Sequence, residues 1–369
     1  MMNSEFVEAF DLSEIPEIVV PDGSVTAIVL AYNEMLRFPH FLEHHRKAGV
    51  EKFLVVDNGS TDGSAEYLDA QADVVRFPSS RPYKDFKSKW RHLLANQYLT
   101  GQWAFFPDVD ELIVYPGWPE VSLKTIVKHW RATGVEAVFS TMVDMYPRQV
   151  LADVSYQPGA PFLSLCPYFD SRGYRLLPLS KHTEAHFPTP PFQLYGGARE
   201  RLFPVSGQRK ANGFDLWLEH TVFAPNAFRF PAIVRKAARK YLKAVWPEDS
   251  ASMGKVPLVL WSPGFKFGGG VHRLNKRVKV AEDWVALLHF KYLDDFAERS
   301  RQAVDRAQHA NAAGHYRHYV GKMDEILSKS PCCKYSVRFT GVDDLEQHGL
   351  VRASHELIGV LEELGLKGG

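Results

Sequence analysis

The first third of the chain alternates two hydrophobic patterns. VTAIVLAY (25–32) is continuous, β-branched and apolar, and it stops at Asn33-Glu34. Behind it Phe38, Phe41, Leu42, His45 and Ala48 recur at helical spacing. KFLVVDNGS (52–60) is a second apolar run that ends in turn residues; SAEYLDAQ (64–71) reads as a short helix and ADVVRF (72–77) as a third strand. A helix from about Ser88 to Leu99 precedes QWAFFPDVDEL (102–112). Strands without polar alternation, separated by helices, predict a mostly parallel sheet covered on both faces.

Further along, AVFSTMV and RERLFP predict strands that extend this sheet. KVPLVLWSPGFKFGGGVHRL (255–274) is strand-like and broken by glycine, and VALLHFKYL (285–293) is one more apolar segment. After Asp294 the pattern turns helical with charged faces. The resulting division is an acidic lead at 1–21, an α/β domain at 22–295 and a helical C-terminal extension at 296–369.

With 369 residues, both a single large domain with an appendage and two domains are open. Hydrophobic residues at 45% and charged ones at 24% exclude a disordered chain. A net charge of +1 excludes a chain-wide basic surface, so nucleic acid is not expected as a partner. Three cysteines, two of them adjacent (Cys332 and Cys333), make no disulfide framework and point to a reducing compartment. No apolar run approaches the roughly 18 residues of a membrane span. The expectation is a cytoplasmic protein.

Ligands of open parallel sheets bind at the carboxyl ends of the strands. Two apolar runs end there in carboxylates: Asp57 after VV, and Asp108 and Asp110 after FFP. Alternate side chains of a strand share a face, so Asp108 and Asp110 point the same way, out of the strand's end into the crevice. Two carboxylates on one side suit a hard cation, Mg²⁺ or Mn²⁺, that bridges phosphates. In DNGSTDGS, Gly59 and Gly63 permit a tight turn and the polar side chains can bond nearby backbone. His40 and His44 lie four apart on a helix but lack the HExxH pattern of a zinc site.

AYNE, VVDNGSTDGS and FPDVDE, in this order, resemble the family 2 glycosyltransferases of the GT-A fold. VDMYP, the YFD of 168–170, YGGARERLF, KVPLVLW and LLHFKY extend the likeness to a bacterial subgroup, over about residues 24–293. The resemblance implies a nucleotide-sugar donor, expected to be UDP-linked, and a glycan or lipid-linked acceptor of the cell envelope. Ala31, Tyr32, Asn33, Glu34 and Asp57 would line the nucleotide, Asp57 at its base. Asp108 would contact the ribose and share the cation with Asp110. A late histidine would complete the metal shell, and His289 and His272 are the candidates. Lys255 would bind a phosphate or end a solvated strand. An inverting transfer needs a carboxylate base, for which Glu200 and Asp170 stand in the right part of the chain. Asn58 departs from the family, where a second aspartate is common, and this bears on nucleotide preference. A nucleotidyltransferase on a similar fold and a catalytically dead sugar-nucleotide-binding module are the alternatives; the first would want a glycine- and arginine-rich first loop, which AYNEMLRF is not.

One basic stretch lies outside these motifs. Between 231 and 246 the charged residues are all basic, Arg235 among them, and Lys236, Arg239, Lys240 and Lys243 face away from Val234, Ala238, Tyr241 and Val245 on a helical wheel. Such a helix either packs its apolar stripe on the body or makes a weak peripheral contact with a membrane.

Overall fold

The computed structural model describes residues 2–203, 209–227, 230–246, 250, 252–306 and 320–366. Its centre is a mixed eight-stranded sheet in the order β3-β2-β1-β4-β10-β6-β13-β5. Strands β1 (Val25–Ala31), β2 (Val50–Asp57), β3 (Val74–Pro78) and β4 (Trp103–Phe105) form a parallel block. Strand β5 (Glu111–Val114) closes the far edge and β6 (Ala137–Asp144) lies inside it. Three small pairs lie off the sheet: β8 (Tyr174–Pro178) with β9 (Phe192–Gly196), β11 (Phe267–Gly268) with β12 (Arg273–Leu274), and a third formed by the C-terminal segment. Strand β10 (Gly254–Leu260) runs against both β4 and β6, whereas β13 (Val280–His289) runs with β6 and against β5.

Burial explains the unbroken hydrophobicity of the strands. Val25, Ala27, Val29 and Ala31 of β1 face one core together with Phe53 and Val55 of β2. Ile28, Leu30, Leu54 and Val56 face a second core on the opposite side. Helix α1 (Met2–Ala9) places Phe6 in that second core, and α4 (Tyr83–Tyr98) adds Trp90 and Leu94. The first core is closed by α2 (Phe38–Ala48) and α5 (Leu123–Ala132), with α3 (Ser64–Asp69) alongside. All five positions expected to face inward on α2 are buried. Gly49 ends α2 at φ 98°, a left-handed conformation that glycine adopts without strain.

The lead packs on the body, with Phe6, Ala9 and Phe10 buried against the sheet. Two expectations need correction. RERLF is not a strand. Gly196 and Gly197, at φ 102° and 72°, break the chain out of β9, and Gly197–Leu202 coils into α8 after the short helices α6 (Phe162–Leu165) and α7 (Lys181–His186). A Cβ on Gly196 would sit 1.7 Å from the Gly173 carbonyl oxygen, so only glycine fits there. The C-terminal segment is not purely helical either: β14 (Ser336–Arg338) pairs with β7 (Tyr168–Asp170). Leu345, Leu350, Val351, Leu357 and Leu361 also belong to the first core, so residues 296–366 share the body's interior where they are described.

Edge strand β5 is held by two histidines of α2. His44 Nε2 lies 2.7 Å from the Ile113 carbonyl oxygen, and His45 Nε2 lies 3.5 Å from the Ile113 amide. The His45 Nδ1–H donates to the Phe41 carbonyl at 2.8 Å, which leaves its Nε2 as acceptor.

Burial pushes His44 down to about 4 from an ordinary 6.5. A depressed histidine pKa means that the unfolded chain takes up the proton first as pH falls. The stability that His44 contributes is therefore complete above pH 6.5 and is lost on the way down to about 4, on the order of 3 kcal/mol. Urea denaturation at stepped pH values should show this loss. His44→Gln, which can keep a donor for Ile113, should flatten that part of the profile.

Candidate functional site

The strand directions bring a set of polar side chains to one edge of the sheet. Ala31 and Asp57 end β1 and β2, and the turn after β4 carries Asp108 and Asp110. Because β10 runs the opposite way, its first residues, Gly254 and Lys255, lie at this same edge. The last residues of β6 and β13, Asp144 and His289, lie there too and pair directly with each other in the ladder.

The loops after β1 and β2 are laced together. Asn33, at φ 54°, donates its N–H to Ser60 Oγ at 2.9 Å, and its side-chain oxygen accepts from the Thr61 N–H at 2.8 Å. The Glu34 N–H donates to Ser64 Oγ at 3.2 Å and the Met35 N–H to Asp62 at 2.9 Å. The polar residues of DNGSTDGS thus reach across to AYNE rather than serving only their own turn. Asp57 is buried, accepts from the Ser60 N–H at 3.0 Å and lies 3.6 Å from Arg76. Tyr32, directly after β1, is half-buried. Glu34 is buried between Arg37 and Arg299 of α11 (Phe296–Arg306); burial raises its pKa, and the two arginines oppose that only in part.

Asn58 has a structural task. Its amide nitrogen donates to the carbonyls of Ser79 at 2.8 Å and Arg81 at 2.9 Å, fixing the approach to α4. A carboxylate cannot donate these bonds.

Asp108 and Asp110 do not share a strand face. Strand β4 ends at Phe105, before Pro107, and the two aspartates stand in the turn that leads to β5 with Val109 buried between them. They take different partners. The Lys255 ammonium donates to Asp108 and to Glu111, each at 2.6 Å, and Arg91 lies 3.5 Å from Asp108. Lys255 is therefore neither a solvated strand end nor a free phosphate ligand. Burial would lower its pKa, but Asp108 and Glu111 outweigh burial and hold it above the ordinary lysine range.

Asp110 faces His289, Oδ2 to Nε2 at 3.4 Å. The other ring nitrogen of His289 lies 2.7 Å from Asp144, which also accepts from Arg199 of α8 at 2.6 Å. Burial opposes the charge on Asp110, yet His289, with Arg299 and Arg37 farther out, keeps its pKa well below the usual carboxylate range. His289 is correspondingly raised: burial lowers it, and Asp110 and Asp144 prevail. His272 has a different environment. Its Nδ1 lies 2.6 Å from the Gly254 carbonyl oxygen, and burial pushes it down to about 4.

The donor set at Asp110 fits a hard divalent cation. A carboxylate oxygen stands beside an imidazole whose remote nitrogen is held by a second carboxylate, the usual outer partner of a ligating histidine. Among the described residues no three His, Cys, Asp or Glu side chains are gathered to hold an ion by themselves.

Both candidate bases are occupied. The two oxygens of Glu200 accept from Arg175 at 2.6 Å each. Asp170 accepts from Arg201 at 2.8 and 2.9 Å and from the Tyr146 hydroxyl. A base must receive a proton, and a guanidinium would first have to leave either carboxylate. In this structure both are ion-paired. Sequence reasoning passed over Asp144, although it closes an apolar strand just as Asp57 does. It also missed Arg37, Arg199 and Arg299, whose partners lie far away in the chain.

No family model matches the sequence, and neither does any curated protein. Among solved structures the chain is similar to UDP-glucose pyrophosphorylase complexed with UDP-glucose, at 14% identity and TM-score 0.22 over 36% of this chain and 60% of that one. It is also similar to the inositol-1-phosphate CTP transferase from T. maritima, at 14% identity and TM-score 0.23 over 44% and 62%. The chain thus spans about three-fifths of the length of these relatives. At this overlap they say nothing of substrate, and the α/β architecture rests on its own strand order and register.

Asn58→Asp should destabilise the protein by about 1–3 kcal/mol, because two part-buried carbonyls lose their donors and face a carboxylate. The midpoint of urea unfolding reads this directly. An unchanged midpoint would remove the structural account of Asn58.

Proposed function

We propose that this protein is a glycosyltransferase that moves a sugar from a nucleotide-sugar donor to a glycan or lipid-linked acceptor with a divalent cation. One observation carries the reading: the Asp110–His289–Asp144 junction lies on the same sheet edge as Asp57. Asp57 and the laced loops after β1 and β2 suit the base and ribose. Asp108, positioned by Lys255 and Arg91, stands between that side and Asp110. Asp110 and His289 would hold Mn²⁺ or Mg²⁺, which would neutralise the departing diphosphate. Asp144 orients the His289 ring, and Arg199 in turn fixes Asp144. The sequence resemblance to family 2 glycosyltransferases supports the same roles for Asp57, Asp108 and Asp110.

Slow transfer to water needs no known acceptor, so a panel of nucleotide-sugars tests the proposal. With Mn²⁺, one donor should release its nucleoside diphosphate, and chelation should stop the release. Asp110→Asn should lower turnover by about 10²-fold or more while leaving the melting temperature near that of the parent. Formation of pyrophosphate from a nucleoside triphosphate and a sugar phosphate would instead establish a nucleotidyltransferase and sink the reading.

The two histidines give a separate measurement. His289→Ala should raise the Mn²⁺ concentration needed for half-maximal turnover by about tenfold or more, whereas His272→Ala should leave it near the parent value. The reverse order would move the cation to the Lys255 side of the edge.

A further inference from the structure

We propose that helices α9 (Gly213–Phe223) and α10 (Ala232–Leu242) form a docking surface for an anionic lipid bilayer. The pair is a satellite of the main body. It packs on β8 through a small cluster of Leu177, Val222, Phe223, Ala238, Leu242 and Trp246. That cluster corrects the helical-wheel expectation. The side that α10 turns inward carries Ala238 and Leu242, joined by Trp246 just past its end, and it leaves Val234 and Tyr241 outside.

The outer surface is therefore apolar where a soluble helix would be polar. Phe214, Trp217, Ile233, Val234 and Tyr241 are 55%, 59%, 77%, 39% and 47% exposed. Nine large hydrophobic side chains are exposed among the described residues, and these two helices carry six of them, Leu216 being the sixth. Three form one group across the helices: the Phe214 ring centroid lies 5.6 Å from Trp217 and 5.9 Å from Tyr241. Aromatic rings with a polar tip suit the boundary between headgroups and acyl chains.

Charge selects the partner. Lys236, Arg239, Lys240 and Lys243 are exposed on the flank of the apolar stripe of α10, and Lys210 is exposed before α9. Among the described residues from 209 to 246 there are two carboxylates, and both are buried and engaged. Asp215 is held by Arg209, and Glu219 accepts from the Trp246 indole. The exposed charge of the surface is thus of one sign. An apolar stripe with aromatic rings beside a wholly basic flank matches a membrane of negative surface potential. No helix among the described residues is long and apolar enough to cross a membrane, so the contact would be peripheral.

The test uses the full chain, without any nucleotide-sugar, so its outcome is independent of the proposed activity. Vesicles of phosphatidylglycerol and phosphatidylcholine in equal parts should sediment most of the protein at low salt. Phosphatidylcholine vesicles alone should take up at least about tenfold less. Near 1 M salt, where screening acts within about 3 Å, the difference should largely vanish. Phe214→Ser with Trp217→Ser should weaken binding by about tenfold or more, and so should joint Lys236→Glu, Lys240→Glu and Lys243→Glu. All five positions are exposed, and unchanged circular dichroism should show that the variants fold. Equal sedimentation by parent and variants, equal uptake by both vesicles, or none by either would overturn the proposal. So would light scattering that shows a dimer abolished by Phe214→Ser with Trp217→Ser, since the apolar surface would then belong to a second copy of the chain.

Discussion

A carboxylate taken out of water is costly unless a cation accompanies it. One edge of this sheet gathers Glu111, Asp144 and the two turn aspartates, and every cation that answers them comes from another element. Lys255 arrives from β10, His289 from β13, Arg199 from α8 and Arg91 from α4. The reversed direction of β10 makes this arrangement work, because it delivers the start of one strand to the ends of its neighbours. Glu111 and Asp144 are wholly buried by this compensation. Asp110 and Asp108 keep partial exposure.

The same logic ties the ends of the chain to its centre. Glu34, in the loop after the first strand, is paired with Arg299 of α11, 265 residues later. Arg37 beside it pairs with Asp295 at 2.6 and 2.7 Å. Phe6 and Phe10 cover the opposite face of the sheet. A division into lead, domain and extension follows composition along the chain, but the cores and ion pairs ignore it.

What was legible beforehand is what local pattern encodes. Apolar runs gave β1 and β2, down to Asp57 as the last residue of β2, because both faces of those strands are buried. The inward face of α2 followed from periodicity for the same reason. Long-range pairing was not legible: Lys255 reads as an ordinary strand lysine until the fold sets it against Asp108, 147 residues earlier. The helix at 197–202 was missed because the decisive feature is the conformation of Gly196 and Gly197, not the charges that follow. On α10 the wheel identified an apolar and a basic side but not which apolar residues would find a core. Leu242 and Trp246 meet Phe223 and Val222, and Tyr241 does not.

Helix α8 joins the candidate site to the outlying helices, and consecutive residues make the joint. Arg199 reaches inward to Asp144 and so to His289. Glu200 reaches outward to Arg175 of β8, which also approaches Glu219 of α9 at 3.8 Å and lies over the Trp246 ring at 5.1 Å. Glu200 makes this tie by bidentate pairing with a buried guanidinium, which constrains its geometry. Arg201 continues the pattern by holding Asp170 against Tyr146 and the chain before β14. Three successive charged residues thus anchor the edge of the sheet, the α9–α10 pair and the C-terminal segment from a single turn of helix. A displacement of α8 would reach the His289 ring through one ion pair and the outlying helices through another. Gly196 before it, where no side chain fits, and Gly197 at its start set the entry to that turn.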